Sequence, residues 1–331
     1  MFILILKILA GIFLVLTGAN WLVDGSSSIA RKTGLSEFLI GLTIVGIGTS
    51  TPEMVVSFIS AINGNSDMAL GNIVGSNIFN VYFTLGVTAL IVPIAYTKSN
   101  LRWDIPLSFF VTLLLVFLCY DTIFNRTATN TLSRLDGIIL LTLFAGYMIY
   151  SFRSSKKSKQ NIPDTNSADK NKYVALSWKE RSATAIILII IGLAALIFGG
   201  DIFINSAVEL AKVAGLSDSF IAITLLAGGT SLPELATSVV AVLKKRGQMA
   251  LGNIIGSNIA NILLILGGSA VIMPLTLGGI TFVDMMVMLS TSLLLSISAY
   301  TFRKKRLDKP EGVIFVLIYI GYIFWLAKNL V

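Results

Sequence analysis

Residues 34–86 recur as residues 215–267, and the two copies match without a gap at 24 of 53 positions. Within them, Gly48-Thr49-Ser50-Thr51-Pro52-Glu53 returns as Gly229-Thr230-Ser231-Leu232-Pro233-Glu234. At the same offset of 181 residues, Gly71-Asn72-Ile73-Val74-Gly75-Ser76-Asn77-Ile78-Phe79-Asn80 returns as Gly252-Asn253-Ile254-Ile255-Gly256-Ser257-Asn258-Ile259-Ala260-Asn261. A chain that says one thing twice is expected to fold as two copies of one unit. Each copy sets a single carboxylate and several small oxygen-bearing side chains inside strongly apolar sequence. Carboxylates are costly in a bilayer, so a matched pair marks a functional site.

The surrounding sequence is 55% hydrophobic and 13% charged, the composition of an all-α polytopic membrane protein. Apolar runs of about 20 residues, the length that crosses a bilayer, lie near 2–23, 37–62, 68–94, 104–121, 135–152, 182–206, 218–243, 248–275, 282–301 and 312–329. Ten transmembrane helices are therefore expected. The first run lacks a small-residue cleavage site and reads as a retained helix.

The net charge of +8 reflects topology. Alternate loops, beginning with the one that carries Arg31 and Lys32, hold 20 of the 25 Lys and Arg residues. That bias puts the basic loops in the cytoplasm and both termini outside. Membrane lipid is the expected partner and nucleic acid is not. The chain has no histidine, and its one cysteine, Cys119, lies in an apolar span. No zinc or thiolate centre and no disulfide framework can be built from that set. Neither a nucleotide motif nor a nucleophile–base pair stands out, so no enzyme and no cofactor are expected.

Five spans per copy is an odd number, so two copies in one chain must enter the membrane from opposite sides. The expected architecture is two inverted five-helix repeats, 1–152 and 181–331, with broken helices and a binding site at the midplane. A polar, Lys- and Ser-rich segment, 153–180, joins them as a flexible cytoplasmic linker.

Two motifs carry the chemistry. Pro52 and Pro233 lie mid-span, where the ring removes one helical hydrogen bond and strains the carbonyl four residues back, those of Gly48 and Gly229. In lipid such groups need another partner, and Glu53 and Glu234 follow in the same turn. The second motif is a stripe at i, i+4 and i+8: Asn72, Ser76 and Asn80, repeated by Asn253, Ser257 and Asn261. Gly71 and Gly75, with Gly252 and Gly256, have the spacing that lets helices approach closely. Ca²⁺ takes about 6–8 oxygens in a forgiving geometry. Two bidentate glutamates and the carbonyls of Thr49 and Thr230 would supply six. Na⁺ could use the same glutamates with Ser50, Ser76, Ser231 and Ser257. A site that holds either ion but not both fully is the basis of exchange.

With these motifs, the chain resembles the Ca²⁺/cation antiporter superfamily in its sodium/calcium exchanger branch, in a prokaryotic form. The resemblance implies Ca²⁺ on Glu53, Glu234, Thr49 and Thr230, flanking Na⁺ on the four serines, and a monomer as the functional unit. The compact linker, with no room for a regulatory domain, points to a prokaryotic plasma membrane. Asn80 and Asn261 depart from the branch, many of whose members carry Asp in one repeat and whose potassium-dependent members carry it in both. Asn at both positions argues against K⁺ dependence. It limits the site to two negative charges, which two Na⁺ would balance and three would exceed. A proton/Ca²⁺ antiporter on the same scaffold and a passive cation channel remain as alternatives.

Overall fold

The computed structural model describes residues 1–120, 130–160, 178–213, 228–301 and 305–329. The fold is all-α apart from two very short ribbons. Among the described residues, seven helices are long and apolar enough to cross a membrane, and an eighth crossing is the bent pair Glu37–Thr49 and Thr51–Ile62. Two shorter apolar helices, Leu232–Leu243 and Phe282–Ser298, complete the set. The expected segment 218–227, the start of one span, lies outside the described residues, as does Gly215-Leu216-Ser217.

The first copy begins with α1 (Phe2–Thr33), which runs past the expected end of its span. Gly34 stops it in the left-handed region (φ 67°), and its N–H reaches Ala30 O at 2.9 Å. Ser36 then caps α2 (Glu37–Ile40) by accepting from Leu39 N. A wide π-type turn, Gly41–Val45, leads to α3 (Gly46–Thr49) and the break before α4 (Thr51–Ile62). Next come α5 (Ser66–Ile78), a π-type stretch Phe79–Leu85 and α6 (Gly86–Ile91), which together make one crossing. The remaining two are α7 (Ile105–Cys119) and α8 (Arg134–Gln160).

The second copy repeats the plan. It contains α9 (Trp178–Val213), α10 (Leu232–Leu243), α11 (Gly247–Ala260) and a π-type stretch Asn261–Leu266. These are followed by α12 (Gly267–Ile272), α13 (Phe282–Ser298) and α14 (Lys309–Asn329). Helix α8 runs to Gln160 and α9 starts at Trp178, so both ends of the expected linker are helical. Its centre, 161–177, lies outside the described residues.

The copies lock together in three places. Helices α1 and α9 run antiparallel along a seam of small residues at heptad spacing: a Cβ on Gly11, Gly18 or Gly25 would fall within 3.2 Å of the main chain at Phe203, Leu196 or Ile189. Such contacts let the two backbones touch. At one end of the bundle, β1 (Ile94–Ala95) pairs antiparallel with β4 (Arg306–Leu307). In the second ribbon, β2 (Thr131–Leu132) pairs with β3 (Leu275–Thr276). Repeat-equivalent residues brace the ribbons, since Gln248 Nε2 donates to Ala95 O while Asp67 Oδ1 accepts from Gly278 N and Gly279 N at 3.0 and 2.7 Å.

The core lies between these locks. Helix α11 packs on residues 37–49 of the first copy. A Cβ on Gly252 would meet Phe38 O at 2.2 Å, and one on Gly256 would meet Leu42 Cα at 2.5 Å. These two glycines have the close-approach role that their spacing implies. Gly71 and Gly75 do not share it among the described residues: Ile280 at 3.4 Å is the nearest neighbour of the first, and the second has none within 4 Å. The segment equivalent to the partner of Gly252 and Gly256, residues 219–223, is not described.

Candidate cation site

The break in the first copy follows from its covalent chemistry. Pro52 has no N–H for the carbonyl of Gly48, and the two halves of the span meet at 48°. Ser50 N still reaches Gly46 O at 3.1 Å and Met54 N reaches Ser50 O at 3.0 Å, so the chain turns at Ser50 without unravelling. Ser50 (φ −79°, ψ 10°) and Ser231 (φ −90°, ψ 9°) share one main-chain conformation. The carbonyls of Gly48 and Gly229, expected to be left for an ion, are instead satisfied locally. The Thr51 hydroxyl donates to Gly48 O at 2.8 Å, and Leu232 N donates to Gly229 O at 3.2 Å.

From these turns a network crosses between the copies and closes on itself. Ser50 Oγ donates to Glu234 Oε1 at 3.0 Å, and Ser231 Oγ donates to Glu53 Oε1 at 2.9 Å. Thr49 Oγ1 donates to Asn253 Oδ1 at 3.2 Å, and Thr230 Oγ1 to Asn72 Oδ1 at 3.4 Å. The amide of Asn72 donates to Glu53 O at 3.1 Å, and that of Asn253 to Glu234 O at 3.3 Å. Every one of these bonds has its counterpart 181 residues away. The threonine hydroxyls are thus engaged, leaving the main-chain oxygens of Thr49 and Thr230 as what they could offer a cation.

The serines of the stripe break the pairing. Ser76 Oγ donates to Glu53 Oε1 at 3.4 Å and lies 3.5 Å from Thr230 Oγ1, whereas Ser257 Oγ donates to Gly46 O at 3.1 Å. Pro52, Pro233 and all twelve polar residues expected at the site converge on this one region.

Residues not assigned a role from the sequence complete it. Asn77 and Asn258 reach each other's main chain, with Nδ2 to O distances of 3.3 and 3.2 Å. Their side-chain oxygens accept from Asn261 Nδ2 at 2.9 Å and Asn80 Nδ2 at 3.1 Å. Ser57 and Ser238 accept from Asn72 and Asn253 at 3.0 and 2.9 Å. Each of these residues is identical between the copies, and that identity is the signal in the sequence that points to them. The π-type stretches begin beside Asn80 and at Asn261, and such turns frequently accompany functional positions.

Glu53 and Glu234 are 0% exposed, and their carboxylates act on each other electrostatically. Oε2 of each glutamate and Oδ1 of Asn80 and Asn261 are buried with no hydrogen-bond partner among the described residues. Orphaned acceptors at this depth are expensive. Here they come as two matched pairs, all hard oxygen, with two carboxylates and no third acidic group gathered among the described residues. Such a set suits a hard cation and not a soft one.

Exposure also departs from the two-fold. Asn253 and Thr49 are fully buried, while their equivalents Asn72 and Thr230 keep partial exposure.

Residues 3–153 and 184–328 match the family profile described as "Sodium/calcium exchanger protein". The putative antiporter CaxA of Alkalimonas amylolytica is 36% identical over 326 residues, 97% of this chain and 98% of its own. The sodium/calcium exchanger MaX1 of Methanosarcina acetivorans is 32% identical over 345 residues, 96% of this chain and 97% of its own. A structure of the sodium–calcium exchanger NCX_Mj soaked without Na⁺ and Ca²⁺ superposes with a TM-score of 0.82 at 31% identity, covering 98% of this chain and 99% of that one.

Proposed function

The chain belongs to the sodium/calcium exchanger family and is an integral membrane cation/Ca²⁺ antiporter; on that premise we propose that Na⁺ is the counter-ion and that Glu53 and Glu234 are ligands shared by both ions. The observation that carries this reading is the pair of partnerless Oε2 atoms, each on a carboxylate whose Oε1 is held by a serine of the other copy. One Ca²⁺ between them, with main-chain oxygens of Thr49 and Thr230, balances two charges. Two Na⁺ on the glutamates with Ser50, Ser76, Ser231 and Ser257 balance them equally, and Asn80 and Asn261 add neutral oxygens.

On the same reading the chain makes ten crossings as two inverted five-helix repeats, 1–152 and 181–331. The antiparallel α1 and α9 and the paired network support that inversion. Residues 153–180 are then the cytoplasmic link, both termini lie outside, the membrane is a prokaryotic plasma membrane and a single chain is the working unit. Asn72 and Thr230 mark the flank by which ions enter. Helix α5 begins at Ser66, at the face opposite the basic loops, so that flank opens outward. Ion loading neutralises the glutamates and lets the core face the other side, while an empty site with two bare carboxylates resists the passage.

The test is ⁴⁵Ca²⁺ uptake into Na⁺-loaded liposomes diluted into Na⁺-free medium. Uptake should require the Na⁺ gradient and vanish in equal external Na⁺. Uptake driven by a pH gradient and indifferent to Na⁺ would replace Na⁺ by H⁺, and flux with no counter-ion at all would mean a channel.

A further inference from the structure

The fifth crossing of each copy faces the fourth through one tyrosine and one aspartate. In the second copy the contact is closed: Tyr322 OH donates to Asp284 Oδ1 at 2.7 Å, and Asp284 Oδ2 accepts from Thr281 N and Oγ1 at 2.8 and 2.7 Å. In the first copy it is open. Asp104 is 6% exposed, and its carboxylate accepts from Asn100 Nδ2 at 3.2 Å. Tyr147, also 6% exposed, stands beside Ser151 and within electrostatic reach of Asp104, but among the described residues its hydroxyl makes no hydrogen bond to that carboxylate. The Ser151 hydroxyl, one turn on, is buried with no partner beyond Tyr147 among the described residues.

A cavity of about 500 Å³ lies beside this group, and Asp104, Asn100, Ser151, Ser154, Glu37 and Gln248 help to line it. Gln248 Oε1 is a further buried oxygen without a partner among the described residues. The central site uses none of these residues. Two bases lie near. Arg246 is committed to Glu37 as an ion pair, and Lys98, on the lining, is exposed. Asp104 appears in no ion pair among the described residues, so one buried negative charge stands uncompensated among hydroxyl and amide oxygens.

We propose that this cavity is a second cation site, separate from the glutamate pair, that takes a small monovalent cation with part of its water. Asp104 supplies the charge, and Ser151 and Gln248, both on the lining, supply neutral oxygens. A monovalent ion balances one carboxylate, whereas a divalent ion would leave an excess charge at a buried place. The volume accommodates an ion that keeps several waters.

Trp103, next to Asp104 and 5.5 Å from the Tyr150 ring, is a built-in reporter. The other three tryptophans, Trp21, Trp178 and Trp325, are replaced by Phe in the full chain, and Glu53→Gln with Glu234→Gln silences the central site. The protein in nanodiscs is titrated with NaCl, KCl and CaCl₂ against choline chloride. A saturable Trp103 response to Na⁺ or K⁺, absent with choline and abolished by Asp104→Asn, is the expected result. Ser151→Ala removes one lining oxygen at little cost to the helix, and it should weaken the response roughly fivefold, the worth of one lost oxygen partner. No response beyond choline would overturn the proposal. So would a response that survives both substitutions, or one given by Ca²⁺ alone.

Discussion

Ser50 holds the carboxylate of Glu234, a residue 184 positions further along the chain, at 3.0 Å. Ser231 returns the same service to Glu53 at 2.9 Å. Each glutamate is therefore oriented in part by the other copy.

Glu53→Gln and Glu234→Gln should each reduce Na⁺-driven ⁴⁵Ca²⁺ uptake to the level of empty liposomes while the protein still purifies as a folded species. Gln keeps the shape and removes the charge. Robust exchange by either variant would remove that glutamate from the shared ligands.

Ser50→Ala and Ser231→Ala each free one carboxylate oxygen from a neutral partner. Each should raise the half-saturating Ca²⁺ concentration about threefold to tenfold, the scale of one hydrogen bond. Because both bonds position one ion, the double variant should depart from the product of the two single effects. Simple multiplication would mean that the glutamates act independently.

Asn261→Asp adds a carboxylate among residues that are already fully buried. The charge moved per cycle, read as a reversal potential or as the dependence of uptake on an imposed K⁺-diffusion potential, should change. An unchanged value would place Asn261 outside the ion's reach, as a partner of Asn77 alone.

Gly256→Ala puts a methyl 2.5 Å from Leu42 Cα, a clash with main chain that only a backbone shift relieves. Loss of about 2 kcal/mol is the expected order, read as a lower melting temperature in detergent. Gly75→Ala, with no neighbour within 4 Å among the described residues, should melt near the parent protein. Equal melting of the two variants would contradict the packing of α11 on residues 37–49.

Much of the site was legible because exchange chemistry needs unusual residues in an apolar setting, and the duplication showed them twice. Pro52 with Glu53 and the stripe Asn72, Ser76 and Asn80 could be named from spacing alone. The fate of the Gly48 and Gly229 carbonyls could not. Thr51 brings a hydroxyl to the free acceptor where Leu232 has only its main-chain N–H, a difference that the shared Pro-Glu pair does not encode. Asn77 and Asn258 were in plain view inside the repeated motif. Their role is to meet each other across the two-fold, a long-range contact that no single-copy periodicity encodes. The α1–α9 seam was readable in principle from Gly11, Gly18 and Gly25 at a spacing of seven. Its weight comes only from the partner series Ala185, Gly192 and Gly199. The ribbons involve two residues per strand, too few for alternation to register.

The exchange of serine and glutamate between copies bears on how such a molecule could arise. A lone five-helix unit would contain a glutamate and a serine that cannot meet. Two identical units inserted in opposite orientations would supply both bonds at once, because each serine–glutamate contact joins one position to its own equivalent's neighbour. The fused chain thus retains the grammar of a homodimer, and only after fusion could Asn72 and Thr230 drift from Asn253 and Thr49 to give one flank a different duty from the other.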